Sequence, residues 1–467
     1  MRLLLVSTYE LGHQPVHLAL PAAELSATGV EVELLDLSIE PFDVAVLQGV
    51  DAVAFSVPMH TAMRLAIEVA SMVRAARPEL PIAFYGLYAA VGRDGTVGRV
   101  ADLLISGEYL PGLKAWADAL ANGREPLQGV VLGLDRPTAV VPDRTTLPSN
   151  DGYARLEWEG EARVAAAVEA SHGCRHRCRH CPIPVVYDGR IRLAGLEPVL
   201  ADIANLVADG VEHVTFADPD FFNAPRYSTD ILRAAHDAYP DLTFDVTVKV
   251  EHILAHDSVW TELSGLGLLF VVSAFESVDE RTLQILDKSH TVEDMSGAVR
   301  ILRGSGVYVR PTWLPFLPWT DPDHLVGMVE FIDSHQLWSA MDPVQMAIKL
   351  LIPEGSLLEG HPAVTPFLRS YDPMTLTWAW EFEHAASELM HKELDAIAAD
   401  GSDCGAESVE TLGLMRLAIA RGAGVDLGPM PRLGRPTPRL TESWFCCAEP
   451  TAGQAIAAGL SIGRVPG

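Results

Sequence analysis

Cysteine is scarce in this chain, with six in 467 residues. That excludes the dense disulfide framework of a small secreted protein. Long apolar runs are missing too: none approaches the roughly 20 residues of a membrane-spanning helix. The apolar opening, residues 1–7, meets the polar Thr8, Tyr9 and Glu10 at once, so the pattern of a signal peptide is absent. Positive charge is in short supply, since 34 Lys and Arg against 62 Asp and Glu leave a formal net charge of −28. Phosphate backbones are gripped by Lys and Arg, so nucleic acid is excluded as the main partner. These absences predict a cytoplasmic chain in a reducing compartment, with no membrane partner, and its length predicts two to three domains.

What the chain does have is local. Cys174, Cys178 and Cys181 fall within eight residues, spaced C-x3-C-x2-C. Thiolates this close in sequence can converge on one metal centre. Four cysteines complete an iron–sulfur cluster, so three leave one iron open, and an open position marks a metal that binds something. The octapeptide alone also admits zinc. His176 and His180 lie between the cysteines, and Cys3His is a structural zinc set. A zinc-stabilised binding protein without catalysis is therefore the competing reading. Arg175, Arg177 and Arg179 crowd the same loop, as a solvated basic face or as an offset to a cluster's charge.

The C-x3-C-x2-C spacing resembles the signature of the radical S-adenosylmethionine (SAM) enzymes. The resemblance implies a 4Fe–4S cluster on Cys174, Cys178 and Cys181, with SAM chelated at the open iron and cleaved by one electron. The residue before the last cysteine is usually aromatic in that family, and here it is His180.

Hydrophobic patterning divides the chain. Residues 1–125 alternate strands (2–7, 31–37, 51–57, 81–85, 102–107) with helices (16–28, 61–77, 110–121), which implies a parallel sheet covered on both faces. Pro21 interrupts the first helix pattern. This region resembles the Rossmann-like, cobalamin-binding-type domain that precedes many radical SAM cores, and "ISGEYLPGLKAW" resembles its last strand–helix junction. The resemblance makes cobalamin a candidate cofactor, although the D-x-H-x-x-G motif is absent and His13 and His17 follow another pattern. Residues 126–160, with Pro137, Pro142 and Pro148, read as a linker. From 161 to 355 the alternation restarts, with strands at 162–170, 211–216, 242–250, 267–273, 306–314 and 343–351. That is the pattern of a partial (β/α)6 barrel, whose ligands bind at the carboxyl ends of the strands.

Further motifs carry the resemblance. "VTFADPDFF" and "FESVDERTLQILDKSHT" are similar to the second- and fourth-strand segments of cobalamin-associated radical SAM proteins. By that likeness Glu276 meets the SAM ribose, Lys249 the SAM carboxylate, and Asp218 and Asp220 approach its amino group. After the fifth strand the chain reads Leu314 to Thr320 (LPFLPWT), unlike the family's turn.

Residues 356–467 read as a mainly helical C-terminal region, clearest at 374–399 and 408–421, with Trp378, Trp380, Phe382 and Leu389 as packing residues. Near the end stand Cys446 and Cys447, in a CCAEP string. Adjacent thiolates suit a soft ion or a redox couple. The string resembles the tail of a radical SAM family named for its CUAEP or CCAEP ending, which implies a reactive cysteine pair. The expected function is reductive SAM cleavage and modification of a small-molecule substrate, with flavodoxin or ferredoxin as electron donor. Transfer of a SAM-derived group to a thiophilic atom such as As(III), and cobalamin-dependent methyl transfer, are the alternatives.

Overall fold

A computed structural model describes residues 1–96, 98–137, 139–431, 433–442 and 449–460. Cys446 and Cys447 lie outside the described residues.

Six strands, β1 (Arg2–Ser7), β2 (Glu31–Asp36), β3 (Ala52–Ser56), β4 (Ile82–Tyr85), β5 (Leu103–Gly107) and β6 (Gly129–Gly133), form a parallel sheet in the order β2-β1-β3-β4-β5-β6. Their near-continuous apolar runs follow from burial on both faces. Side chains alternate between two cores. Leu4, Val6, Val53, Phe55 and Phe84 face the helix His60–Ala76, while Leu3, Leu5, Ala54, Tyr85 and Ile105 face Val16–Ser26 and Tyr109–Ala121. Pro21 sits inside Val16–Ser26 and has no N–H for the carbonyl of His17. The Tyr85 hydroxyl donates to that carbonyl instead, at 2.8 Å, and the helix continues.

The stretch 126–160 is not all loop. It contains β6, which pairs in parallel with β5, and β7 (Arg155–Trp158), which pairs antiparallel with β8 (Glu161–Val168). β6 escaped the sequence reading because it is short, glycine-bounded and half exposed. The β7–β8 hairpin turns on Glu159 and Gly160, both at positive φ, as a two-residue hairpin loop requires.

A short ribbon, β9 (Ser171–Gly173) with β10 (Ile191–Leu193), flanks the cysteine loop. Then β11 (His213–Phe216), β12 (Thr243–Thr247), β13 (Leu268–Glu276) and β14 (Tyr308–Trp313) continue in parallel from β8. The helices between them bury one apolar face each against this curled sheet.

The sixth strand expected over 343–351 is reduced to one parallel bridge between Phe316 and Lys349. Pro343–Met346 is a 3₁₀ turn there, and the Gln345 side-chain carbonyl accepts from the Trp313 N–H at 3.0 Å, replacing a ladder bond. The expected helix over 374–399 also begins later. β15 (Leu368–Asp372) and β16 (Thr377–Trp380) form a hairpin, and the helix is Ala385–Asp403. The hairpin tip drives Leu376, fully buried, into the core of the first sheet. Trp380 packs as expected, whereas Leu389 is 68% exposed. A second helix spans Ser408–Ala423, and β17 (Arg439–Leu440) returns to pair with β7. No helix among the described residues is long and apolar enough to cross a membrane.

Candidate active site

The carboxyl ends of β8, β11, β12 and β13 converge on the cysteine loop. Gly173 admits the chain into it: its φ is +74°, and an added Cβ would lie 2.3 Å from the Arg190 carbonyl oxygen. Asp218, just past β11, braces the entry. Its carboxylate accepts from the Ala170 N–H at 2.8 Å and from the Ser171 hydroxyl at 2.5 Å. Asn223 accepts from the Arg175 N–H at 3.1 Å, with the Cys174 thiol at 3.9 Å. On the far side the Arg179 guanidinium donates to the carbonyls of Gln284 and Ile285. Arg179 is thus fixed to the helix Glu280–Leu286, and Arg177 pairs with Asp188 at 2.6 Å. Only part of the basic face read from the sequence is unengaged.

Of the three cysteines, Cys174 and Cys178 are buried and Cys181 is half-buried. Burial, then the nearby Asp220 carboxylate, pushes the Cys174 thiol up to about 11. Left alone it stays protonated at neutral pH, and a coordinated cation is what would deprotonate it. Among the described residues the one group of three donors within 4.8 Å of one another is elsewhere, at His176, Asp220 and His252. Three thiols from one short loop are a donor set for an iron–sulfur cluster that keeps one iron open.

Glu276 ends β13 at a bulge, with φ of +66°. Lys288 donates to its carboxylate at 3.0 Å and His180 lies 3.1 Å from the same oxygen. Burial would raise the Glu276 carboxyl, but Lys288 and His180 outweigh it and hold it well below the usual carboxylate range. Lys288 is buried, which works against its charge, yet Glu276 and then the thiols of Cys178 and Cys181 keep it raised. Sequence reasoning gave Lys288 no role; its place in the fourth-strand tail was the available signal. His180 gains a role as well, since it stands in the aromatic position as a partner of Glu276.

Lys249 follows β12. Its Nζ is buried without a hydrogen bond, 3.8 Å from Glu251. Asp220 is 1% exposed and turns one oxygen to the Phe222 N–H at 3.0 Å. Of the four residues expected near SAM, Glu276 and Lys249 present groups toward the loop, while both oxygens of Asp218 are used within the protein.

Between the two sheets lies a buried chain of ion pairs that the sequence did not reveal. Glu169 sits 3.3 Å from both His17 and His172; His17 also meets Glu10, and His172 meets Glu108, each at 3.1 Å. Burial opposes charge on His17, but Glu169 and Glu10 prevail and raise it to about 9. Glu169 is lowered to about 2 against its own burial, chiefly by His17 and His172. A cavity of about 40 Å³ beside this network is lined by Val16, Tyr109, Glu169 and His172 among others, room for a few waters.

Residues 168–332 match the profile of the Radical SAM superfamily. This segment is a radical SAM domain, and the chain is an enzyme of that chemistry. Solved structures with the same fold include the radical SAM methyltransferase TsrM from Kitasatospora setae, solved with cobalamin and a 4Fe–4S cluster bound. TsrM is 18% identical, with 72% of this chain and 70% of that chain covered and a TM-score of 0.56. They also include the cobalamin-dependent SAM radical enzyme OxsB with aqua-cobalamin bound, 14% identical over 91% of this chain and 72% of that one, at a TM-score of 0.65. Another TsrM structure holds tryptophan and a SAM analogue, at 17% identity over 72% of this chain and 71% of that one and a TM-score of 0.55. No curated protein sequence matches the chain. The radical SAM domain thus supplies the cysteine loop and Glu276, and a parallel sheet stands before it as in OxsB.

Proposed function

We propose that the chain binds a 4Fe–4S cluster through Cys174, Cys178 and Cys181, binds SAM beside it and uses the resulting radical on a small-molecule substrate. The observation that carries this reading is the set of three cysteines on one loop at the carboxyl end of β8, within the segment that matches the Radical SAM superfamily. When bound, the cluster supplies the electron that breaks a carbon–sulfur bond of SAM. The protein's own groups bind and orient. Lys249, whose buried ammonium makes no hydrogen bond and only a long 3.8 Å approach to Glu251, suits the SAM carboxylate. Lys288 and His180 hold Glu276 ionised and fixed, so that its carboxylate accepts from the paired ribose hydroxyls. Asp218 is a positioning residue that fixes the start of the loop.

The CCAEP string supports a reactive role for Cys446 and Cys447 late in the reaction. The described residues on either side are anchored to the first domain. Glu442 accepts from the Tyr9 hydroxyl at 2.8 Å, and Glu449 meets His60 at 3.0 Å and Arg64 at 3.4 Å. Cobalamin is the alternative cofactor, favoured by the neighbours solved with it and by the 2-1-3-4-5-6 sheet order, whose switch point binds such groups. Glu10, His17, Glu169, His172 and Glu108 form ion pairs between sheet and barrel, and a corrin seated there would have to part them.

Anaerobic reconstitution with iron and sulfide tests the core of the reading. A brown protein with charge-transfer absorption, lost in Cys178→Ala, is expected; one zinc per chain and no iron refutes it. Purification with excess cobalamin that leaves corrin absorbance on the protein would revive the methyltransferase alternative. The products of SAM turnover name the reaction: 5′-deoxyadenosine, methylthioadenosine and S-adenosylhomocysteine report three different chemistries. Cys447→Ser is expected to keep SAM cleavage and lose the final product, and unchanged product would reduce the tail to structure.

A further inference from the structure

Outside the cysteine triad, three donor atoms from three elements face one another. His176 belongs to the cysteine loop, Asp220 to the turn after β11, and His252 to the helix Val250–Ala255 that follows β12. The His252 Nδ1 is 2.8 Å from the Asp220 Oδ2, and the His176 Nε2 is 3.6 Å from the same oxygen. All three atoms lie within 4.8 Å of one another.

An ordinary buried ion pair would leave these atoms hydrogen-bonded to each other. They are not: His176 Nε2, Asp220 Oδ2 and His252 Nδ1 are each buried without a hydrogen bond. The 2.8 Å approach is short enough for such a bond but misaligned for it. Three buried polar atoms without hydrogen bonds cost free energy unless a cation meets them.

The spacing suits one ion. Metal–ligand bonds of about 2.0–2.2 Å at tetrahedral to octahedral angles put donors about 2.8–3.6 Å apart. Asp220 is held for the purpose, because its other oxygen accepts from the Phe222 N–H at 3.0 Å. Behind His176, the Glu251 carboxylate lies 3.6 Å from Nδ1, the place from which a carboxylate orients a ligating histidine. Lys249, the nearby cation, lies 3.8 Å from that same Glu251 oxygen. Asp220 and Glu251 against Lys249 leave one net negative charge for the ion to meet. Two histidines and one carboxylate with open positions are the donor set of mononuclear non-haem iron(II), and zinc(II) or manganese(II) fit it as well.

We propose that His176, Asp220 and His252 form a second metal site, for one divalent first-row cation, beside the cysteine loop. The ion joins that loop to the ends of β11 and β12. Three protein ligands leave its remaining positions to water or to oxygens of a substrate.

The full chain, with its iron–sulfur centre reconstituted, is titrated anaerobically with Mn²⁺, and free Mn²⁺ is followed by its EPR signal. One Mn²⁺ per chain is expected, with two histidine nitrogens coupled to it in pulsed EPR of the wild type. Affinity is expected to fall at least tenfold in His252→Ala and in Asp220→Asn, which keeps the cap on Phe222. Cys178→Ala, which removes a cluster ligand, is expected to retain Mn²⁺, separating this site from the cluster reading. Absence of saturable binding, absence of nitrogen coupling in the wild type, unchanged affinity in both variants, or one-for-one displacement of Mn²⁺ by SAM overturns the proposal. The wild-type nitrogen signal decides the matter even where a variant does not fold.

Discussion

Glu169 holds two histidines at once, and that makes the contact between the two sheets pH-dependent. His17 and Glu169 are only 16% and 11% exposed, so solvent screens them little. The His17 imidazolium is raised from an ordinary 6.5 to about 9. A histidine raised on folding contributes its full stability below pH 6.5 and loses it as pH climbs toward 9. At about 1.4 kcal/mol per pH decade, that interval corresponds to about 3 kcal/mol. Glu169 runs the other way: lowered from 4.5 to about 2, it contributes above pH 4.5 and loses its share as pH falls toward 2. The network therefore stabilises most between about pH 4.5 and 6.5. The perturbation is Glu169→Gln, which removes the shared charge but leaves Glu10 beside His17. Guanidinium unfolding from pH 5.5 to 9.5 gives stability-versus-pH curves for both chains, and hydrogen exchange in β8 locates the change. The wild type is expected to lose at least about 3 kcal/mol across the alkaline limb, because His172, raised by the same Glu169, titrates there as well, and the variant is expected to lose less than half as much as the wild type. Titrations that Glu169 does not touch cancel in the difference. Parallel curves would falsify the assignment of His17 as a cation held by Glu169.

Arg144→Ala breaks a buried bidentate pair with Asp202, both bonds 2.9 Å, and is expected to cost about 3–5 kcal/mol in the denaturation midpoint. Lys288→Met strips Glu276 of its ammonium partner, so SAM affinity measured by equilibrium dialysis is expected to fall at least tenfold, with partial recovery in Lys288→Arg. Gly173→Ala drives a methyl against the Arg190 carbonyl at positive φ; it is expected to destabilise the loop by about 1–3 kcal/mol and to lower the iron bound per chain on reconstitution.

Much of the fold was legible in the pattern of residues, because buried parallel strands leave long apolar runs. β1 to β5 and the barrel strands through β14 stand within a few residues of the expected positions. The failures have local causes. β6 is an edge strand whose Val130 and Leu132 point to solvent, so burial left no mark on its composition. Residues 343–351 are apolar enough for a strand, but Gln345 caps Trp313 with its side chain and no ladder forms. At 377–380 the hairpin strand is too short for its alternation to differ from helical spacing. The cysteine loop was legible because its ligands are neighbours in sequence. The partners that give it electrostatic character are not: Lys288 reaches Glu276 across 12 residues, and Glu108 reaches His172 across 64. His252 meets Asp220 only because β11 and β12 lie side by side. No spacing rule contains such contacts, since the topology alone creates them.

The left-handed backbone at Glu276 bears on how this enzyme could be improved. An L-residue at φ of +66° carries about 1–2 kcal/mol of steric strain that glycine does not. Glu276→Gly should therefore be more stable than Glu276→Ala, the reverse of the order at a regular strand position, and thermal denaturation of the two variants would show it. A library selected for thermal robustness alone would drift toward glycine here and discard the carboxylate that Lys288 and His180 hold in place. At this position durability and activity are rival objectives, and only a screen that reads turnover would keep the native residue.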